Sequence, residues 1–369
     1  MLIFWILIGF GLLVLLQKGI YSSCWDKNVN VAFRFSKRAV TEGETAEIIE
    51  RCENRKRLPL PVFGYTYTLV CSYASVTKSQ EQSATMQRRF ALAGRRAVTN
   101  RAKIAGLSRG VYSMDFVRAT STDLFHLSRL EWNIPYSSSR LTVYPAKIPV
   151  QRFSFPARLI LGAVTTRRKA QEDPFALRSI RPYEIYDSPK IINWKASAKT
   201  GELKVNQFEY TTDEALVFLL DMENGSFDDR EELIRLASSL SLFFLRRSVS
   251  VSLMANCRDC IVGRPIRVPA GTDAAHQITM DENLALIKLT IPITEPFCDF
   301  LAGIPVESLK GALPVVLSVD TTGAVREMFR NTPGIRDGYF LSIQKDGSVK
   351  AESRLRLDVR DTAAKEVRL

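Results

Sequence analysis

The chain has 369 residues, of which 46% are apolar and 24% are charged, and its net charge is +12. The apolar fraction excludes an intrinsically disordered chain, and the length allows about two domains of ordinary size. The excess of positive charge favours anionic partners, such as a membrane surface, nucleic acid or an acidic protein, without choosing among them.

Residues 1–16 read MLIFWILIGFGLLVLL and carry no charged side chain. As a helix they extend about 24 Å, close to the ~30 Å hydrocarbon core of a bilayer. Lys18 can extend its amine to the headgroups, and Tyr21 and Trp25 suit the membrane interface. A cleaved signal peptide is the alternative, but the segment lacks a basic start and a small-residue cleavage site. We therefore predict a transmembrane anchor over residues 1–20.

Basic residues accompany and follow this segment, with Asp26 as the one acidic residue among them. They are Lys18, Lys27, Arg34, Lys37 and Arg38. Positively charged flanks of a membrane helix stay on the cytoplasmic side. We therefore predict a single-pass protein of the cell membrane with its body in the cytoplasm.

Residues 29–147 have the alternating pattern of short β-strands separated by Gly, Pro and Ser turns. The predicted strands are VNVAFRF, AEIIERC, FGYTYTLV, RRAVTNRAKI, GVYSMDFV and RLTVYP. Strands of this length and spacing predict an immunoglobulin-like β-sandwich. Between Arg88 and Arg109 lie basic residues and no acidic one, which is expected of a solvated strand face or of a surface attracted to anionic lipid.

Residues 148–210 are predicted to connect two domains, with at most one short helix over 150–180. From residue 211 to residue 369 apolar runs alternate with helical patterns. The predicted strands are ALVFLLDM, VSVSLMANC, LPVVLSVD and a final GYFLSIQ. The predicted helices are 227–247, 272–288 and 321–330. Fully apolar strands alternating with helices predict a parallel-sheet α/β domain. The fold class is therefore α+β multidomain, with a membrane helix, a β-sandwich and an α/β domain.

Motifs for familiar chemistry are lacking in the sequence. It has no phosphate-binding loop and no dinucleotide-binding glycine motif, and a triad based on His126 or His276 has no support. Cys257 and Cys260 have close spacing, but a structural zinc site needs four ligands and no matching histidine pair exists. Reduced, packed thiols are the simpler interpretation of the six cysteines.

A short helix is predicted between Ser188, as its N-cap, and Gly201, as its stop. Ile191, Trp194 and Ala198 share one face, which predicts that Trp194 packs this helix against the sheet. Two lysines, Lys195 and Lys199, lie on a neighbouring face and are expected to point outward. Arg181, Tyr183 and Asp187 precede the helix, and Asp187 can pair with Arg181 or with a lysine. The segment has either a structural role or a role in binding an anionic partner group.

The same segment closely resembles the signature of the domain-of-unknown-function 58 family. The shared pattern is Arg181-Pro-Tyr183, Asp187, and the run from Asn193 to Lys199 that reads NWKASAK, followed by Gly201-Glu-Leu and a strand. The family pattern has Gly-Asp where this chain has Tyr186-Asp187, and Arg where it has Lys199. The resemblance covers most of the chain.

The resemblance implies an N-terminal membrane segment, a β-rich region and a domain similar to von Willebrand factor type A. It also implies partnership with a MoxR-type AAA+ ATPase in assembling or activating protein complexes, with no enzymatic activity established for the family. Members often have two membrane helices, whereas this chain has one apolar segment.

A metal site is a further implication of the type A resemblance, because such domains hold Mg²⁺ with Asp-x-Ser-x-Ser after the first strand. Here that stretch reads Asp221-Met-Glu223-Asn-Gly225, and Ser226 comes one residue late. Carboxylates at strand ends remain oxygen donors, so Asp221, Glu223 and Asp320 are the candidate ligands. The missing hydroxyls count against a working Mg²⁺ site, and no cofactor is predicted.

Three functions follow from these patterns. The first is a non-catalytic, membrane-anchored adaptor that binds a MoxR-type ATPase through Arg181, Tyr183, Asp187, Trp194, Lys195 and Lys199. The second is a metal-dependent hydrolase that uses the strand-end carboxylates. The third is a binder of anionic surfaces, with no specific recognition of nucleic acid.

Overall fold

The protein was studied as a computed structural model. The described residues are 2–71, 84–134, 139–170, 172–184, 187, 189–210, 215–290, 293, 295–309, 311–319, 323–332, 335, 338–344 and 347–353. Within them the chain is a mixed α/β protein with seven α-helices and four sheets. It divides into two compact units. The first contains residues 1–146, 259–262 and 284–291, and the second contains the remainder.

The first unit begins with helix α1 (Leu2–Cys24), which is long and apolar enough to cross a membrane. Nine strands follow it: β1 (Val29–Phe35), β2 (Ala39–Thr41), β3 (Ala46–Asn54), β4 (Leu60–Cys71), β5 (Ala84–Leu92), β6 (Arg96–Ile104), β7 (Gly110–Thr122), β8 (Arg129–Asn133) and β9 (Arg140–Tyr144). One sheet has the order β1-β3-β6, and the other has the order β2-β9-β7-β4-β5 with β8 on β7. All pairs are antiparallel except β2 with β9.

Side chains from both sheets meet in one apolar core. In β1 the buried and exposed residues alternate strictly, as the period of a half-buried strand requires. Phe33 of β1 packs edge-on against Tyr65 of β4 and at a tilt against Tyr67. Each of the six strands predicted over 29–147 is present, whereas the three-residue strand β2 and the strands β5 and β8 were missed.

The last turns of α1 belong to the same core. Tyr21 and the following Trp25 are almost fully buried, and the Tyr21 hydroxyl donates to the carbonyl of Pro59 at 2.9 Å. Lys56 donates to the carbonyls of Cys24 and Trp25, so a cation lies at the carboxyl end of the helix, where the helix dipole favours it. The apolar helix is therefore joined to the β-sheets by packing and hydrogen bonds rather than by a linker.

The second unit contains a six-stranded sheet. Its strands are β12 (Ala215–Leu220), β13 (Ser250–Arg258), β14 (Pro265–Gly271), β15 (Ala312–Leu317), β16 (Tyr339–Ile343) and β17 (Val349–Ser353). Their order is β14-β13-β12-β15-β16-β17, with parallel pairing among the four central strands and antiparallel edges. All four central strands were predicted. Of these, β12 and β15 were recognised as continuous apolar runs, as is typical of strands buried on both faces. The mixed-polarity edges β14 and β17 were missed.

Helices α4 (Phe227–Leu245), α5 (Ala274–Ala285), α6 (Phe297–Gly303) and α7 (Ala324–Asn331) connect these strands. Three of them confirm predicted helices, and α6 was missed. At the start of α4, Ser226 and Asp229 form a reciprocal capping box, which satisfies N–H groups of the first turn. Ser226 is therefore engaged in helix capping, which accounts for its position one residue late in the stretch after β12.

The segment predicted as a connection has more structure than expected. It contains α2 (Ser154–Ala170), and a two-stranded antiparallel sheet of β10 (Glu172–Pro182) and β11 (Lys204–Tyr210). The prediction of one short helix was wrong in length, since α2 has 17 residues. Ala157, Ile160 and Val164 are buried at helical spacing, and this buried stripe stabilises the longer helix.

Candidate functional site

The signature segment forms helix α3 (Trp194–Thr200) beside strand β11. Its N-cap is Asn193, whose side chain accepts from the N–H of Ala196, and it ends at Gly201 in the left-handed conformation. The predicted stop at Gly201 is confirmed. The predicted start was wrong, because Pro189–Ile191 form a separate 3-10 turn before α3. Ser188 lies outside the described residues.

Trp194 does not pack α3 against a sheet. Its side chain is 67% exposed, and Ala198 on the same predicted face is exposed too. The inner face is polar instead. Ser197 is buried and its hydroxyl oxygen accepts from the N–H of Lys204, while Asn193 donates to Asn206 at 2.6 Å. Hydrogen bonding to β11 therefore decides which face is buried, and it leaves the tryptophan in solvent.

The two lysines of α3, Lys195 and Lys199, are exposed as predicted. Together with Trp194 they form a surface that we call the α3 surface. A tryptophan is one of the residues that most often form the buried centre of a protein interface, and charged residues such as these lysines suit its polar rim. The α3 surface is thus suited to an acidic partner that covers an aromatic anchor.

The chain that leads to α3 is held by an ion pair. Arg181 donates to both carboxylate oxygens of Asp187, at 2.7 and 2.5 Å, and the N–H of Glu184 donates to the same carboxylate. These hydrogen bonds, first of all those from Arg181, lower the pKa of Asp187 below its ordinary value. The predicted pairing is confirmed. Tyr183 is tied by its N–H to the carbonyl of Leu203, at the base of the same loop.

The second candidate site lies at the carboxyl edge of the six-stranded sheet. Numbered in chain order within this sheet, the strands run 3-2-1-4-5-6, so the order reverses between β12 and β15. Open α/β sheets bind ligands in the crevice at such a reversal. Asp221 follows β12 and Ser318 follows β15, and both are fully buried there. The predicted Asp221 therefore lies at the position where a ligand is expected.

Protein groups already satisfy the carboxylate of Asp221. One oxygen accepts from the N–H groups of Glu223 and Asn224, at 2.9 and 3.2 Å. The other accepts from the Asn224 amide at 2.8 Å and from the Ser318 hydroxyl at 2.5 Å. Asn256 of β13 completes this edge by accepting from the N–H of Met222. A ligand at Asp221 would have to displace these donors.

The two other predicted ligands do not join Asp221 in a described cluster. The carboxylate of Glu223 accepts from the N–H of Phe297 at 2.6 Å, at the first turn of α6. Asp320 lies outside the described residues. Among the described residues, no group of three or more Asp, Glu, His or Cys side chains has a metal-binding arrangement. Ser318 and Asn256 were missed at the sequence level, although each lies at or after the end of an apolar strand.

A lysine next to a serine was also missed at the sequence level. Lys147 donates to both carboxylate oxygens of Asp281, each at 2.8 Å, and to the hydroxyl of Ser238. A nucleophile and its base have this proximity in serine–lysine hydrolases. Here Ser238 is fully buried and its own hydroxyl donates to Asp281. The cluster therefore joins α4 and α5, and it has no accessible nucleophile.

The basic stretch of the first unit does not form one solvated face. Arg109 is fully buried and donates to the carbonyls of Leu284 and Ile287, at 2.7 Å each. Arg88 lies 3.1 Å from buried Glu50. The exposed members are Arg88, Arg89, Arg95, Arg96, Arg101 and Lys103. All six cysteines of the chain carry thiols rather than disulfides, as predicted.

No family model matches the chain, and the search of curated proteins returns no match. The solved structures that resemble this chain have low sequence identity to it and low TM-scores. They include the C-terminal domain of wzt, with 6% identity over 31% of this chain and 73% of that one, at a TM-score of 0.24. A CARDB domain from Pyrococcus furiosus, in complex with di-metal ions, has 12% identity over 32% of this chain and 94% of that one, at 0.22.

A third similar structure is the Pseudomonas fluorescens alkylpurine DNA glycosylase AlkC bound to abasic-site DNA. It has 13% identity, covers 29% of this chain and 30% of that one, and has a TM-score of 0.20. Similarities this weak carry no argument about function.

Proposed function

We propose that this protein is a membrane-anchored adaptor whose second unit is a von Willebrand type A-like domain that binds a MoxR-type AAA+ ATPase. The anchor is α1, and the binding surface is the α3 surface. The resemblance of the signature segment to the domain-of-unknown-function 58 family suggests the partner. The observation that carries the proposal is the 67% exposure of Trp194 on the same short helix as the exposed Lys195 and Lys199.

The sheet order supports a type A-like domain. A parallel centre with the order 3-2-1-4-5-6 is that of a doubly wound α/β fold, and Asp221 occupies the crevice where such a domain binds its ligand. The hydrogen bonds from Ser318 and Asn224 fill the coordination positions of its carboxylate. This arrangement favours an adaptor that binds through a surface over a hydrolase that uses a metal.

The join between α1 and the β-sheets supports a membrane role for the whole first unit. Because Tyr21 and Trp25 belong to its core, the unit is held directly at the end of the helix. The basic residues that follow α1 favour a body in the cytoplasm. An AAA+ ATPase would be on the same side of the membrane, because ATP is available there. An additional attraction of exposed arginines such as Arg95 to anionic lipid is compatible with this orientation.

Binding of the full-length chain in detergent to the MoxR-type ATPase of the same genome tests the proposal. The full chain is needed because removal of α1 would remove Tyr21 from the core. We expect Trp194→Ala to weaken binding at least about tenfold, as loss of a central aromatic residue does at interfaces. The thermal midpoint should stay unchanged, because an exposed side chain contributes little to stability.

Phe155→Ala is the matched control, since Phe155 is an equally exposed aromatic residue of the same unit, at 68%. It should bind the ATPase like the wild type. Equal binding by the Trp194 variant, or equal loss in both variants, would refute the α3 surface as the binding site. Retention of wild-type binding by Lys195→Glu/Lys199→Glu would exclude an acidic partner surface.

A further inference from the structure

The loop between β7 and β8 exposes apolar side chains. Leu124, Phe125 and Leu127 have 48%, 41% and 64% of their surface exposed, and together they form what we call the hairpin tip. The composition is unusual for a hairpin loop, which normally carries polar turn residues. Three adjacent apolar side chains in water lose hydrophobic stabilisation that burial would provide.

The hairpin tip lies directly against α1. Gln17 of α1 donates to Asp123 at 2.9 Å, and its side-chain oxygen accepts from the N–H of Leu124. The rings of Phe10 and Phe125 are 6.1 Å apart. Seven residues separate Phe10 from Gln17, so the tip follows the helix for about 10 Å towards its amino terminus.

Four N–H groups of this loop donate to acceptors within the protein. The N–H groups of Leu127 and Ser128 donate to the carboxylate of Asp123, at 2.7 and 3.4 Å, and that of His126 donates to the carbonyl of Asp123. The N–H of Leu124 is bonded to Gln17, as described above. Non-helical backbone can enter lipid only when its polar groups find partners within the protein. The hairpin tip meets this requirement at these four amides.

If α1 spans a bilayer, its contact with the hairpin tip lies at membrane depth. The apolar stretch Ile3–Cys24 has 22 residues and extends about 33 Å, which matches the ~30 Å hydrocarbon core. Gln17 and Phe10 both lie within this stretch, and both contact the hairpin tip. The ring of Phe125, at the level of Phe10, is therefore at the depth of the hydrocarbon core.

We propose that the hairpin tip enters the bilayer beside α1 and contacts lipid acyl chains as a second membrane-inserted element. This inference rests on the anchoring role of α1 and not on the identity of the ATPase partner. The apolar surface of the tip continues that of α1, which favours the same solvent for both.

Tryptophan fluorescence of the full-length chain in phosphatidylcholine vesicles tests the proposal. Phe125→Trp adds one emitter to the four native tryptophans, whose emission is subtracted with the wild type. The control is Lys37→Trp, an exposed position after β1, a seven-residue strand that runs about 23 Å away from the α1 junction. We expect brominated lipid to quench the added emission of Phe125→Trp at least about twofold more than that of the control.

Alkaline carbonate extraction of each variant tests whether α1 anchors the chain in the membrane, separately from whether the hairpin tip enters it. If the chain resists extraction but aqueous acrylamide quenches Phe125→Trp like the control, the hairpin tip is in water and the proposal is overturned. Shielding from both quenchers would mean that a second copy covers the tip, which also overturns it. Extraction of the chain by carbonate would refute the anchor and the tip together. Leu127→Trp is an independent probe should Phe125→Trp fail to fold.

Discussion

Two buried aspartates, one in each unit, have the same local setting and different consequences. Asp123 follows β7 and Asp221 follows β12, and each is at most 1% exposed. Each accepts hydrogen bonds from N–H groups of the turn after its strand. The difference lies in the distant partner, which is Gln17 of α1 for Asp123 and Ser318, directly after the parallel strand β15, for Asp221. An aspartate after a strand therefore signals a turn, and only its distant partner shows what it holds together.

The largest expected effect comes from Asp221→Ala. This change leaves the buried Ser318 hydroxyl and the half-buried Asn224 amide without this acceptor, next to the two backbone amides. We expect the second unit to lose about 3 kcal/mol of unfolding free energy, because each unsatisfied buried group costs about 1–3 kcal/mol. Urea denaturation followed by circular dichroism measures it. Ser318→Ala removes one donor and should cost about 1 kcal/mol; equal stability of Asp221→Ala and the wild type would contradict the buried hydrogen-bond network.

A smaller and more local effect is expected for Asp123→Ala. We expect the amides of Leu127 and Ser128 to exchange with solvent faster by a factor of about 10, equivalent to about 1.4 kcal/mol of local opening. Hydrogen exchange with mass spectrometry measures this, and the amides of β12 provide the unaffected reference. Gln17→Ala should produce part of the same effect. If a double-mutant cycle shows no coupling energy between the two positions, the proposed link between α1 and the hairpin is contradicted.

The smallest effect is expected when the pH is lowered. It should occur in the wild type and not in Asp123→Asn, whose side chain carries no charge. Burial alone would raise the pKa of Asp123, but hydrogen bonds from Gln17, Leu127 and Ser128 lower it below its ordinary value. A lowered pKa in the folded state stabilises the loop above the pKa of the unfolded chain, and this stability is lost as pH falls through the folded value. Below about pH 4 we expect faster exchange at Leu127 relative to the intrinsic rate. Asp123→Asn should lack this acid response, and a parallel response in the variant would assign the loosening to another group.

Much of the fold was predictable because the hydrophobic pattern of a segment and its capping residues indicate the same secondary structure. Strands β12 and β15 are continuous apolar runs, and α4 carries a capping serine with an acidic first turn, so period and caps agree. The edge strands β14 and β17 were not predictable in this way. Their pattern mixes exposed and buried positions, and their pairing depends on a neighbour that is distant in sequence.

The candidate site was predictable in composition and not in orientation. The signature segment contains Trp194, Lys195 and Lys199 as the residues of interest, and the stop at Gly201 follows from the need for a left-handed residue. Helical spacing placed Trp194 on a buried face. That inference failed because α3 is one of the shortest helices, and the hydrogen bonds of Ser197 and Asn193 to β11 outweigh apolar burial there.

The sequence by itself determined the apolar helix, the alternation of strands and helices, and the residues of the signature segment, because these depend on periodicity and on caps within a few residues. Only the tertiary structure decided that the carboxylate of Asp221 accepts a hydrogen bond from Ser318, that Trp194 is exposed to solvent, and that the hairpin tip lies beside α1. Each of these outcomes depends on a hydrogen bond or contact between residues far apart in the chain. Such contacts form only when the strands and helices pack, and sequence patterns over a few residues do not predict them.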